Sequence, residues 1–124
     1  MMFARSLLFA FVVIFLSSSA YSGDGTGNTY KFGCRLLASD NRVPIGKIEA
    51  VKVGECSGAI DAIFMLRRAL DRSIRFCPPP KVNPGQNVKI VVKYLDDHAE
   101  QMNDDFTLLV IRAFSQVWPC PNAN

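Results

Sequence analysis

Four cysteines, one histidine and two carboxylate pairs are the side chains in this sequence with the means to do covalent, metal or proton-transfer chemistry. Cys34, Cys56, Cys77 and Cys120 are widely separated, and none stands within the few residues of another that zinc-binding cysteines usually keep. His98 has no second histidine to join it at a metal. Nucleophilic catalysis needs a thiol or hydroxyl beside a base, and His98 falls in a polar stretch with no such neighbour identifiable. The pairs Asp96 with Asp97 and Asp104 with Asp105 fall at the end of one expected helix and the start of the next, where carboxylates are solvated or complement a helix dipole. Phosphate-loop and metal motifs are absent from the sequence. The expectation is a protein that is no enzyme and holds no cofactor or metal, its cysteines forming two disulfides.

An even cysteine set suits an exported chain, and the first residues have the layout of an export signal. Arg5 supplies a positive start, Leu7 through Leu16 form an apolar run, and Ser18, Ser19, Ala20 and Ser22 give a small-residue cleavage context. The run is shorter than the roughly 20 residues that cross a bilayer. We therefore expect residues 1–22 to be a signal peptide, 23–28 a flexible glycine-rich lead and 29–121 a single domain, with no membrane segment in the mature form. The formal charge of +3 for the whole chain is too small to imply a polyanion, and no basic stripe with interleaved aromatics suggests nucleic acid.

Helices are the elements that must position the cysteines. Tyr30, Cys34, Leu37 and Ala38 return at helical spacing between Asn28 and Ala38, and Ser39, Asp40 and Asn41 would end that helix. A connection through Pro44 leads to a long second helix over 47–73, with Gly54 and Gly58 as sites where it could bend. Its polar side collects Arg67, Arg68, Arg72 and Arg75, with Arg67 and Asp71 one turn apart as an expected surface pair. The prolines from Pro78 to Pro84 stop the chain. Asn83 then caps a third helix with Pro84 at its first position and Val88, Val91, Val92 and Leu95 along one face. After a polar loop over 97–103, Asn103 or Asp104 would cap a fourth helix to Trp118, burying Phe106, Leu109, Val110, Ala113, Phe114 and Val117.

Short links favour antiparallel neighbours. In a hairpin of the third and fourth helices, Cys77 and Cys120 stand at the same end, and Cys34 faces Cys56 across the earlier pair. These are one of three connectivities that four cysteines allow, and they make the fold an all-α, small four-helix bundle stapled by two disulfides. For a binding surface, the candidates are the 97–103 loop, with Asp97, His98, Glu100, Gln101 and Asn103, and the basic group at Arg67 and Arg68.

The order Cys56-Ser57-Gly58, Cys77-Pro78, Gly85-Gln86, Val91-Val92-Lys93-Tyr94-Leu95, His98 and Trp118-Pro119-Cys120-Pro121 resembles the Rap/Tai family of immunity proteins. The resemblance implies an all-helical periplasmic domain, often a homodimer, that neutralises a peptidoglycan amidase toxin of type VI secretion by occluding its active-site groove. It also implies that the cysteines, Gly58, Tyr94 and Pro119 are scaffold positions, and it carries over no toxin-contacting residue. Arg67, Arg68 and Arg72 depart from the family's alanine- and glycine-rich central helix. The alternative is a small periplasmic acid-stress chaperone, which would need carboxylates buried at an interface, with Asp61 as the candidate.

Overall fold

The computed structural model describes residues 24–39 and 46–121. The expected signal peptide at 1–22 and most of the connection through Pro44 lie outside the described residues. Among the described residues there are four α-helices and no strand: α1 Gly27–Ala38, α2 Lys47–Leu66, α3 Pro84–Asp97 and α4 Phe106–Val117, with a 3-10 turn at Ala99–Gln101.

The start of α3 follows from its sequence. Asn83 accepts a hydrogen bond on its side-chain oxygen from the Gln86 amide at 2.7 Å, and Pro84 takes the position whose missing N–H is no loss. Its apolar stripe buries Val88, Val91 and Leu95. The cap of α4 is Asp105, one residue beyond the expected pair, its carboxylate accepting from the Thr107 amide at 2.8 Å. Asp104 instead pairs with Arg112 at 2.6 Å. Phe106, Leu109, Val110, Ala113 and Phe114 are buried as their spacing requires, together with Ile111, whereas Val117 is half exposed.

The second helix is shorter than its periodicity suggests and continues without interruption through Gly54. It ends at Leu66 rather than Ser73. The Ala69 amide donates to the Leu66 carbonyl, and Asp71 folds its carboxylate back onto the amide and hydroxyl of Ser73 at 2.9 and 2.7 Å. Such a side-chain turn competes with helix continuation, and it sends Phe76 into the core, where 1% of its surface remains exposed. The expected Arg67–Asp71 pair therefore does not form. Arg67 donates to the Phe64 carbonyl at 2.8 Å and lies over the Phe64 ring.

Close approach of helices falls at Gly33 rather than at Gly54 or Gly58. A Cβ on Gly33 would run into the main-chain carbonyl of Lys52, whereas one on Gly54 or Gly58 would meet open space. Gly33 thus lets α1 and α2 touch backbone to backbone, and one residue further on Cys34 is bonded to Cys56. The second disulfide joins Cys77 to Cys120, with the Cys77 amide donating to the Trp118 carbonyl at 2.9 Å. Both pairs are those that the hairpin argument gives. Because Cys77 precedes α3 and Cys120 follows α4, the bond ties the open end of that hairpin, and the 98–105 turn closes the other.

The core runs along this hairpin. At the disulfide end Phe114 packs on Phe76, Phe64 and Trp118, and at the other end Tyr30 stacks on Phe106 with ring centres 4.2 Å apart. The segment expected to be a loose lead is held there from Gly25 onward. Phe106 donates its amide to the Gly25 carbonyl, Gly27 donates to Asp104 and Asn28 to Met102, at 2.8 to 3.1 Å. These bonds order Gly25 to Asn28 and bury Gly27 against Leu109 and Met102, so structure begins earlier than the composition of the segment suggests.

Candidate partner-binding surface

The turn between α3 and α4 carries the first candidate group, and its side chains largely satisfy one another. Tyr94 donates its hydroxyl to the Gln101 side-chain oxygen at 2.9 Å, and Arg112 donates to the same oxygen at 3.2 Å. His98 stacks on the Tyr94 ring, and its Nδ1 lies 2.8 Å from the Tyr94 carbonyl. A carbonyl can only accept, so Nδ1 carries the proton. Asp97 takes Lys93 at 2.7 Å, Gln101 donates to Glu100, and Asn103 accepts from Asn28 at 3.0 Å. Met102, in the middle of the turn, is buried. The structure therefore brings all five polar candidates together, as a braced knob whose outer rim is acidic rather than as a loose loop.

The basic group lies at the opposite end of the hairpin, where α2 ends. Arg67, Arg68 and Arg75 line a depression of about 280 Å³ together with Phe76, Cys77 and Pro78. Arg75 is fixed by two hydrogen bonds to the Leu70 carbonyl at 2.9 and 3.2 Å. The sequence gives these arginines by type, but no pattern in it shows that main-chain carbonyls hold two of them.

The titratable groups whose pKa moves are at the surface. Hydrogen bonds from Thr29 and Thr26 hold Asp24 below the ordinary carboxylate value of 3.8, those from Ser73 do so for Asp71, and that from Lys93 does so for Asp97. A depressed carboxylate lends stability above its unfolded pKa and loses it as pH falls through its folded value. The melting temperature is therefore expected to hold steady from pH 7 to about 4 and to decline only below 3.8. Calorimetry at a series of pH values checks this; a decline starting near pH 6 would contradict it. Among the described residues no carboxylate is buried, Asp61 included, and Asn87 is the one buried polar side chain, with an unpartnered side-chain oxygen. No group of three or more metal-ligating side chains assembles among the described residues.

These features define a class: a two-disulfide four-helix domain with its charged side chains at the surface and its cysteines committed to structure. The chain belongs to the family of Rap1a immunity proteins, whose model matches residues 26–120. That span takes in all four helices, both disulfides and Thr26, the residue whose bridge to Asp105 anchors the N-terminal segment. Searches of curated proteins and of solved structures each returned no match. The family is one of immunity proteins, and the partner of an immunity protein is a toxin.

Gly58 and Tyr94, read as scaffold positions from the family resemblance, differ in what they do here. Tyr94 is a scaffold residue in the plain sense, buried and bonded to Gln101. Gly58 faces open space on α2, so packing within the chain does not require it to be glycine.

Proposed function

We propose that the protein is a periplasmic immunity protein that binds and inhibits a peptidoglycan amidase toxin delivered by type VI secretion. The match to an immunity family over residues 26–120 carries this reading. Three further observations support it. Two structural disulfides suit an oxidising compartment such as the periplasm. The apolar run ahead of Ser18 has the form of a secretory signal. An inhibitor needs a rigid surface rather than a reactive one, and both polar ends of this hairpin are braced by internal hydrogen bonds.

The reading includes a homodimer. The outward face of α2 shows Ile48 and Met65 with about three quarters of their surface exposed, and Val51 lies between them. A helix apolar on both faces usually buries both, and a second copy of the same helix supplies the required cover in a two-fold pair.

A single experiment reads both parts. The oxidised protein is mixed with each of a panel of secreted peptidoglycan amidases, amidase activity is measured, and the mass of any complex is determined by light scattering. The expected result is stoichiometric loss of activity with one amidase, in a complex holding two copies of each chain. Full activity across a panel that includes the amidase from the same secretion cluster would refute the inhibitor, and a one-to-one mass would refute the dimer.

A further inference from the structure

Carboxylates are scarce at one end of the α3–α4 hairpin. Between Ala62 and Val88 the sole carboxylate is Asp71, among Arg67, Arg68, Arg72, Arg75 and Lys81. That carboxylate is engaged by the Ser73 amide and hydroxyl. The knob at the other end of the α3–α4 hairpin holds Asp97, Glu100, Asp104 and Asp105. The basic corner therefore has no counter-charge of its own beyond Asp71, and no ion pair to Arg67, Arg68, Arg72 or Arg75 is formed within the described residues.

Three properties make the corner more than a solvated patch. Arg67 and Arg75 are held by carbonyl oxygens, which orient the guanidinium groups without neutralising them, so a partner loses little side-chain entropy by engaging them. The backbone beneath is rigid: Phe76 is locked into the core, it bridges to Pro119, and Cys77 is bonded to Cys120. Leu66 and Ile74 stand exposed beside the arginines, giving the mixture of guanidinium and apolar side chains that dominates protein-protein contacts. A compact corner of this kind lacks the long basic track that a nucleic acid follows, and a planar, oriented guanidinium favours carboxylates that can accept two hydrogen bonds.

From this we infer that the corner formed by Arg67, Arg68, Arg72 and Arg75 is the surface that receives an acidic protein segment, and that it is here, rather than at the self-satisfied acidic knob, that the protein grips its partner. Taking that partner to be the toxin rests on the function proposed above; the preference for an acidic protein segment does not.

The test uses the oxidised protein and two variants with the same net charge. Arg68→Glu with Arg72→Glu alters the corner at exposed side chains that make no hydrogen bond among the described residues, and Lys31→Glu with Lys47→Glu makes the same charge change elsewhere. Each is titrated against a labelled poly-L-glutamate peptide, against vesicles containing phosphatidylglycerol, and against whichever amidase the wild type inhibits. The corner variant is expected to bind the peptide about 10-fold or more weakly at low salt, while the control stays within about 2-fold of wild type. Amidase inhibition is expected to weaken in the same order. Equal weakening of both variants would mean that only net charge matters and would overturn the proposal, as would tighter binding to vesicles than to peptide. A wild type that inhibits no amidase, yet shows the expected difference on the peptide, would retire the amidase reading and leave the acidic-segment corner standing.

Discussion

Serine at both Cys77 and Cys120 is expected to remove about 4 kcal/mol of stability, the largest effect of any conservative change in this protein. The two residues are 43 apart in sequence, so the bond closes a long loop and excludes many unfolded conformations. The Cys34–Cys56 bond, with a separation of 22, is worth about 3.4 kcal/mol on the same model. A domain near 100 residues has a net stability of roughly 5 to 15 kcal/mol, so losing both bonds removes about half of it or more. The long-loop bond also sets the position of Phe76, because Phe76 bridges to Pro119 and Cys77 bonds to the Trp118 carbonyl. The serine variant should therefore unfold at a markedly lower urea concentration with an increased dependence on denaturant only if its unfolded state expands. Urea titrations of the wild type, the Cys77→Ser/Cys120→Ser variant and the corresponding Cys34→Ser/Cys56→Ser variant check the ordering. A smaller loss at the 77–120 pair than at the 34–56 pair would show that native packing, not loop length, decides.

The second large effect is at Gly33. Alanine there places a methyl group against the Lys52 carbonyl, and the obstacle is main chain, which cannot rotate away as a side-chain tip can. The helices α1 and α2 must separate beside the disulfide that holds them together. We expect a loss of about 3 kcal/mol, which for a domain of this size lowers the melting temperature by roughly 15 °C. Gly54→Ala provides the contrast. Its new methyl group enters open space on the exposed side of α2, and alanine favours helix over glycine by about 1 kcal/mol, so this variant should melt higher than wild type. Thermal melts of the two variants decide the matter by sign. If both substitutions stabilise, the backbone contact between α1 and α2 is not as described.

What the sequence reveals of this fold, and what it hides, divides along physical lines. Asn83, Pro84 and the valine stripe identify α3 because the cap and the buried face are both local, within one turn of the residues that specify them. The cysteine pairs are readable because a hairpin leaves few places for them to meet. The end of α2 is not readable from periodicity, since Leu70 continues the apolar spacing, whereas the chain already leaves the helix at Leu66 through the turn in which Ala69 bonds to Leu66, and the Asp71–Ser73 turn follows beyond it. Gly33, Gly54 and Gly58 look alike in sequence, and only the path of the neighbouring helix distinguishes the one that must be small. The lead at Gly25 to Asn28 has the composition of a loose end, yet it is fixed by main-chain bonds to 102–106, which no side-chain pattern records. For the candidate surfaces, residue type shows where charge lies. It does not show that the knob at 97–103 satisfies its own side chains while the arginines of the corner, among the described residues, form no ion pair.

The disulfides join neighbours in chain order, first with second and third with fourth. Any chain emerges from a ribosome or a membrane channel N-terminus first, so Cys56 is the first partner that Cys34 meets, and by the time Cys77 appears both earlier thiols can already be bonded. An oxidant that simply couples thiols as they arrive produces the native pairing, and no later reshuffling is needed. The oxidised protein should accordingly reach its final form with a dithiol oxidase alone, and a disulfide isomerase should add nothing to its yield.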